Sequence, residues 1–314
     1  MKLGMIRNDI LLITGSEGFI GKHLSHRIKD LGCKVILLDK IKPKNFSFGH
    51  RINFIQCDIT KKDELKKLKN IKGRIILIHL AACVPHIPDK EDKALDSIFE
   101  VNIKATINIL NNFQNRLSKV YYVSTLEVYG VPIYLPIDEK HPTNPTSFYG
   151  ISKLSAEHYL RIFCRCNRIP FAVLRLSCVY GPGENYDRAI PNFIKSAIKN
   201  EPIMIYGDGL DTRDYLYVDD AINALLLSIR EKSAQGVFNI ASSKGYKIRD
   251  IAKTIIKLCN SRSKINFYKR RKKFYNLFFN ISKAKEKIKF LPKTTIEEGL
   301  LKEIAWFRWK NRLR

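Results

Sequence analysis

The sequence predicts an α/β fold, a doubly wound parallel sheet followed by a smaller mixed α/β lobe. Three observations predict it. Short β-rich runs alternate with helical stretches over the first 125 residues. Those runs are apolar nearly throughout, as strands covered on both faces must be. A glycine-rich turn joins the first run directly to the first helical stretch.

In chain order the strands read Asp9–Thr14, Lys34–Asp39, Ile52–Gln56, Ile75–Leu80 and Lys119–Ser124, with a sixth at Phe171–Leu176. Between them Phe19–Leu31, Asp63–Lys69 and Ala94–Gln114 carry helical spacing, and a longer helix runs from about Tyr149 to Asn167. Beyond the sixth strand Pro182, Pro191 and Pro202 loosen the pattern, leaving helices around Val218–Ser228 and Ile296–Arg312. A dinucleotide-binding domain over 1–176 and a mainly substrate-binding lobe over 177–314 are expected, with segments near 211–240 returning to the first domain.

The 314 residues are 45% hydrophobic and 27% charged, enough to bury a core and too apolar for a disordered chain. Seven cysteines without a CxxC pair suit reduced thiols, and no His/Cys spacing supports a metal site. The amino-terminal stretch turns glycine-rich after five or six apolar residues, unlike a leader or a spanning helix. A cytoplasmic protein without membrane insertion is the expectation.

Charge is the unusual global property. Against 30 acidic residues stand 56 Lys and Arg, leaving +26. Residues 244–314 hold 22 basic and 5 acidic side chains, so +17 of that excess lies there. Such a field could attract nucleic acid or a membrane surface. Lysines such as Lys61, Lys62, Lys66, Lys67 and Lys69 spread over helix faces favour plain solvation, so peripheral association is possible and nucleic acid is not the expected partner.

The first strand ends in Gly15-Ser16-Glu17-Gly18-Phe19-Ile20-Gly21, a GxxGxxG turn that opens a helix. Gly15 permits the tight turn, Gly18 lets backbone amides approach a pyrophosphate, and Gly21 allows close helix–strand packing. This is the start of a Rossmann-type domain. Asp39 closes the second strand 18 residues after Gly21, where an acid holds the adenosine ribose of NAD and repels the 2′-phosphate of NADP. The plainer reading of Asp39 is a strand-end turn cap.

Tyr149 and Lys153 are four apart and share one helix face. An ammonium there favours the phenolate, so Tyr149 could exchange a proton with a substrate hydroxyl while hydride moves to or from a nicotinamide. The plainer reading is an exposed amphipathic helix. Ser124-Thr125-Leu126-Glu127-Val128-Tyr129-Gly130 stands at the end of the fifth strand, where a hydroxyl can orient the reacting oxygen.

With CDIT at Cys57–Thr60, HLAA at His79–Ala82, Asn102, VYGPG at Val179–Gly183 and DTRDYLYVDD at Asp211–Asp220, these motifs make the chain resemble the extended short-chain dehydrogenase/reductase family. The likeness is to its NAD-dependent nucleotide-sugar epimerase and dehydratase branch and covers nearly the whole chain. It implies Thr125, Tyr149 and Lys153 as catalytic trio. It places Phe19, Ile20, Asp58, Ile59, Leu80, Ala81, Ala82 and Asn102 about the cofactor, together with the glycines and Asp39. It also implies Arg213 on the substrate diphosphate, with a surface salt bridge as the plainer reading, and a homodimer packed through the helices at Ala94–Gln114 and Tyr149–Asn167. Ile98, Val101, Ile109 and Phe163 could line that seam or face the sheet. His79 is read as packing or bonding to backbone.

Three positions depart from the pattern. Cys178 stands where most members have an Asn on the diphosphate, and Arg270-Arg271-Lys272-Lys273 replaces an RxGD segment, leaving Arg270 as a candidate anion ligand. Leu126 stands where sugar 4,6-dehydratases carry an acid or a hydroxyl, which argues against elimination of water. Glu127 is a further catalytic candidate, more readily structural. The expectation is an NAD-dependent nucleotide-sugar 4-epimerase working through a transient 4-keto sugar. The alternatives are a 4-keto-6-deoxysugar reductase or UDP-uronate decarboxylase on the same scaffold, and, more distantly, a non-catalytic RNA-binding member.

Overall fold

A computed structural model describes residues 9–29, 32–44, 49–84, 94–184, 186–270 and 275–312. The chain divides into two compact units. The first comprises residues 1–130, 143–175 and 224–238, and the second 131–142, 176–223 and 239–314.

The first unit is organised by a seven-stranded sheet. Its strands are β1 (Ile10–Thr14), β2 (Lys34–Asp39), β3 (Ile52–Gln56), β4 (Ile75–His79), β5 (Leu117–Thr125), β6 (Phe171–Leu176) and β11 (Gly236–Ile240), in the order β11-β6-β5-β4-β1-β2-β3. Pairings β1–β2, β2–β3, β1–β4 and β4–β5 are parallel. The six expected strands are present. The seventh, GVFNI, is broken by Gly236 and Asn239 and is not expected from the sequence.

Helix α1 (Phe19–Arg27) follows the glycine turn. The expected end of this helix at Leu31 lies outside the described residues. The stretch expected as a helix at Asp63–Lys69 is a 3₁₀ segment, Glu64–Asn70, with the Glu64 carboxylate accepting from the Asp58 amide at 3.0 Å. The helical run expected at Ala94–Gln114 is broken. Between α2 (Leu95–Ile98) and α3 (Ala105–Phe113) the chain winds into a π turn, Phe99–Lys104, and a 3₁₀ turn closes it at Gln114–Arg116. Helix α4 (Phe148–Cys166) is the long helix expected, capped by the Ser147 side chain, which accepts from the Gly150 amide.

Leu12, Ile36, Leu77, Val120 and Val173 of the sheet pack with Ile109, Leu110 and Phe113 of α3 and Ala156, Leu160 and Phe163 of α4 in one core cluster. Each fully buried aliphatic side chain contributes roughly 1.5–3 kcal/mol. Ile98, Ile109 and Phe163 are therefore core residues, buried within this unit.

The second unit pairs β7 (Cys178–Tyr180) with β10 (Tyr215–Tyr217), β8 (Ile203–Tyr206) with β13 (Ile265–Tyr268), and β9 (Thr212–Arg213) with β12 (Tyr246–Lys247). Helices α5 (Ala189–Ile198), α7 (Ile248–Cys259) and α9 (Ile296–Arg312) pack on one another, and α8 (Ser282–Ile288) precedes the last of them. Helix α6 (Val218–Arg230) runs from this unit into the first. No helix among the described residues is long and apolar enough to cross a membrane.

Candidate functional site

The first unit gathers its polar residues at the carboxyl ends of β1, β2, β4 and β5. Gly15 has φ +71°, and a Cβ there would stand 2.6 Å from the Ala81 amide nitrogen. A Cβ on Gly21 would overlap the Gly15 carbonyl, whereas on Gly18 it would lie 3.3 Å from that oxygen. Chain thus crosses chain so closely that only hydrogen fits at two of the three glycines. Gly18 is the N-cap of α1 and supplies no side-chain acceptor. The amides of Phe19, Ile20 and Gly21 have no intrahelical partner, and no acid stands in the first turn to compete for the dipole.

Asp39 meets this loop. Its Oδ2 accepts from the Glu17 amide at 2.9 Å and its Oδ1 from the Ile41 amide at 3.0 Å. The carboxylate both caps the turn and steadies the glycine loop, and each oxygen keeps lone-pair capacity for a ligand. Asp58 accepts from the Thr60 amide and hydroxyl at 3.0 and 2.7 Å. Burial pushes its carboxyl up, but these bonds with Lys40 and Lys61 outweigh that and hold it below the ordinary value. Lys40, Ile41, Gln56 and Asp58 line an open cleft. Ile59 turns into the core and its carbonyl accepts from Asn108, so its side chain is not part of that cleft.

Behind the loop runs a buried polar chain. The Leu80 amide donates to the Thr14 carbonyl and the Ala81 amide to the Thr14 Oγ1, which holds Leu80 and Ala81, with Ala82 next in sequence, against β1. His79 is buried and stacked on the Tyr122 ring, the packing half of the expectation, and its nitrogens bond side chains rather than backbone: Nδ1 pairs with Thr14 Oγ1 at 2.7 Å and Nε2 with Thr106 Oγ1 at 2.9 Å. Full burial, with Lys153 adding repulsion, pushes its pKa down to about 3, so the ring is neutral. Asn102, in the π turn, accepts from the Cys83 amide at 2.7 Å and donates to Ser152 Oγ at 2.9 Å, while Ser152 donates to the Tyr149 carbonyl at 2.8 Å. The π turn aims this amide at α4, and such turns recur at functional sites.

At the end of β5, Thr125 Oγ1 accepts from the Glu127 amide at 3.2 Å, which leaves its proton to donate. Leu126 is buried. The Glu127 carboxylate accepts from the Ser147 hydroxyl at 2.9 Å, the cap of α4 two residues before Tyr149.

Tyr149 and Lys153 are both buried on α4, and the Lys153 ammonium stands 4.1 Å over the Tyr122 ring. Burial lowers the Lys153 pKa to about 7 against the opposing pull of Glu157. The expected fixed cation is thus a group that titrates near neutrality. Glu157 stands one turn further on, and its i+4 spacing from Lys153 is the one sign of it in the sequence. Arg175 on β6 grips it through two nitrogens, at 2.7 and 3.1 Å, and lies 4.7 Å over the Tyr129 ring.

The remaining candidates lie in the second unit. Cys178 is exposed on β7. Arg213 donates to the carbonyls of Thr212 and Tyr275. Arg270 arches over Gly207, bonded to the Tyr206 carbonyl and ion-paired with Asp211. Arg271, Lys272 and Lys273 lie outside the described residues.

The first unit fits a dinucleotide: a glycine cradle at a helix amino terminus, an acid at the end of β2, and buried Ser16 and Ser124 hydroxyls without a partner among the described residues. The profile of the NAD dependent epimerase/dehydratase family matches residues 11–241. A Methanocaldococcus jannaschii protein, provisionally named a UDP-glucose 4-epimerase, is 32% identical over 96% of this chain and all of its own length. A UDP-N-acetyl-alpha-D-glucosaminuronate decarboxylase of Bacillus cytotoxicus is 30% identical over 95% of this chain and 97% of its own. The solved UDP-glucuronic acid 4-epimerase of Bacillus cereus, in complex with UDP-glucuronic acid and NAD, superposes with a TM-score of 0.85 at 29% identity. That match covers 96% of this chain and 99% of that one.

Proposed function

This chain belongs to the NAD dependent epimerase/dehydratase family, and we propose that within it the protein is a nucleotide-sugar 4-epimerase. The substrate would be a UDP-hexose or a UDP-N-acetylhexosamine, inverted at C4 through a transient 4-keto sugar. One observation carries the choice of reaction. The end of β5 offers a hydroxyl at Thr125 and a buried carbon side chain at Leu126, while the nearby Glu127 carboxylate is bonded to the cap of α4. That set can move a proton on and off a hydroxyl. It is poor at protonating a leaving hydroxyl, which elimination of water requires.

Gly15, Gly18, Phe19, Ile20, Gly21 and Asp39 would hold NAD, with Asp58, the backbone of Ile59 and Leu80–Ala82 beside it and Asn102 steadying the α4 end. NAD, when bound, supplies the acceptor and later the donor of the hydride. Tyr149 would take the 4-hydroxyl proton and return it after the sugar turns over, while Thr125 donates to the same oxygen and orients it. Lys153 in its ammonium form favours the tyrosinate. Arg213, Cys178 and Arg270 would belong to the diphosphate side, where Arg270 must first exchange Asp211 for phosphate.

The test is product analysis by NMR with UDP-glucose and UDP-N-acetylglucosamine. Galacto products without added cofactor support the proposal. Accumulation of a 4-keto-6-deoxy sugar refutes it, as does release of carbon dioxide from a UDP-uronate as the sole turnover.

A further inference from the structure

We infer that Glu184 and Glu303, two buried carboxyl groups of the second unit, share a proton at neutral pH and latch the last helix to the turn after β7. Both are fully inside: Glu184 is 1% and Glu303 0% exposed. Among the described residues neither oxygen of Glu303 has a hydrogen-bond partner, and neither does Oε2 of Glu184.

The fold brings them together through one helix face. Gly299 stands one turn before Glu303 on α9, and a Cβ there would overlap the Tyr180 hydroxyl at the end of β7. The turn from Gly181 to Glu184 follows at once, closed by the Glu184 amide donating to the Gly181 carbonyl at 3.0 Å. The face of α9 that carries Gly299 and Glu303 therefore covers that turn.

The surrounding charges do not neutralise the pair. Arg188 Nη1 is 3.9 Å from Glu184 Oε1, and Lys195 also draws on Glu184. The Glu303 carboxyl faces Tyr180 and Tyr217, on which Asp220 also acts. The Asp220 carboxylate accepts from the Lys293 and Thr294 amides, and the Lys302 ammonium lies 5.0 Å over the Tyr217 ring. Asp219 acts on Tyr217, Glu184 and Arg188 on Tyr215, and Tyr246 on Tyr180.

An ionised carboxylate buried without a donor is costly, and two facing each other are costlier. A single proton turns one of them into a donor for the other. Burial pushes Glu184 up to about 7, and burial together with the Glu184 charge pushes Glu303 well above the ordinary carboxylate value.

The sign follows. The native pair holds a proton that the unfolded chain releases near pH 4.3. This stabilisation is complete below that pH and is lost as pH rises through the native values. While one such proton is retained, the unfolding constant rises about tenfold per pH unit. Above pH 7 the pair begins to lose its protons, and once both carboxyls are ionised the two elements repel.

The experiment compares urea unfolding of the full-length protein and its Glu303→Gln variant from pH 6 to 9. The glutamine amide donates at every pH, so the ratio of wild-type to variant unfolding constants should climb about tenfold per pH unit above pH 7 and then level. Lys153 titrates in the same range with the opposite sign, but equally in both proteins, and cancels in the ratio. Glu303→Leu should remove the same slope. In the wild type, infrared spectra at pH 8 should retain a protonated carboxyl band that either substitution abolishes. Parallel stability curves would overturn the inference, as would a wild-type spectrum at pH 8 without that band.

Discussion

Glu157→Leu is the most informative single change in the first unit. It leaves the Arg175 guanidinium 4% exposed, stacked on Tyr129 and without its counter-charge. Breaking one side of a buried ion pair costs about 3–5 kcal/mol, a large share of the roughly 5–15 kcal/mol that holds a typical protein folded. Glu157→Leu with Arg175→Met removes both charges and keeps an apolar stem against Tyr129, and should recover most of the loss. The double variant also isolates the chemistry. The carboxylate that holds the Lys153 pKa up near 7 against burial is gone, so that value must fall further. If the ammonium form assists Tyr149, the alkaline limb of the pH–rate profile moves to lower pH while KM for the nucleotide sugar changes little. Urea midpoints of the single and double variants and the pH dependence of kcat are the assays. A double variant as unstable as the single one would refute the ion-pair reasoning, and an unmoved pH profile would refute the link to Lys153.

Three further outcomes follow from the same geometry. Gly21→Ala drives a methyl group onto the Gly15 carbonyl and to 2.8 Å from Ser16, so the purified protein should retain no NAD on denaturation and mass analysis. Gly18→Ala, at 3.3 Å, should retain part of it. His79 is held neutral at about 3, so between pH 6.5 and 3 the unfolded chain binds a proton that the native state lacks. The His79 contribution to stability should therefore fall by about 1.4 kcal/mol per unit as pH drops, against the opposite contribution of Glu184 and Glu303, and the stability difference between wild type and His79→Gln should change with that slope over the range. Tyr149→Phe should lower kcat by about 10²–10⁴-fold while NAD is retained, which stopped assays of C4 inversion read directly.

The parts of the fold that read through from sequence are those with a local signal. Buried parallel strands such as IILIH are apolar at all but one position, and the glycine turn sits between a strand and a helix. Tyr149 and Lys153 are neighbours on a helix by spacing alone. What did not read through depends on residues distant in the chain. Arg175 is 18 positions from Glu157 and on a strand, so nothing in its surroundings marks it as a partner. Apolar periodicity runs through Phe99–Lys104 much as it would in an α-helix, so the π turn that turns Asn102 toward Ser152 leaves no trace in the pattern. Arg270 looked like an unoccupied anion ligand because its pairing with Asp211 spans 59 residues. Glu303 is one charge among many on an otherwise ordinary helix, and only the fold reveals that it is buried.

The central claim is that hydride leaves C4 and returns to C4 within one active site. Its most direct test uses purified protein without added cofactor, given UDP-glucose bearing deuterium at C4 and followed by NMR and mass spectrometry. The account predicts UDP-galactose with the deuterium still at C4, no label from solvent, and about one NAD released per chain on denaturation. Loss of the deuterium, or turnover that proceeds only with added NADH or NADPH and a 4-keto sugar nucleotide, would contradict it.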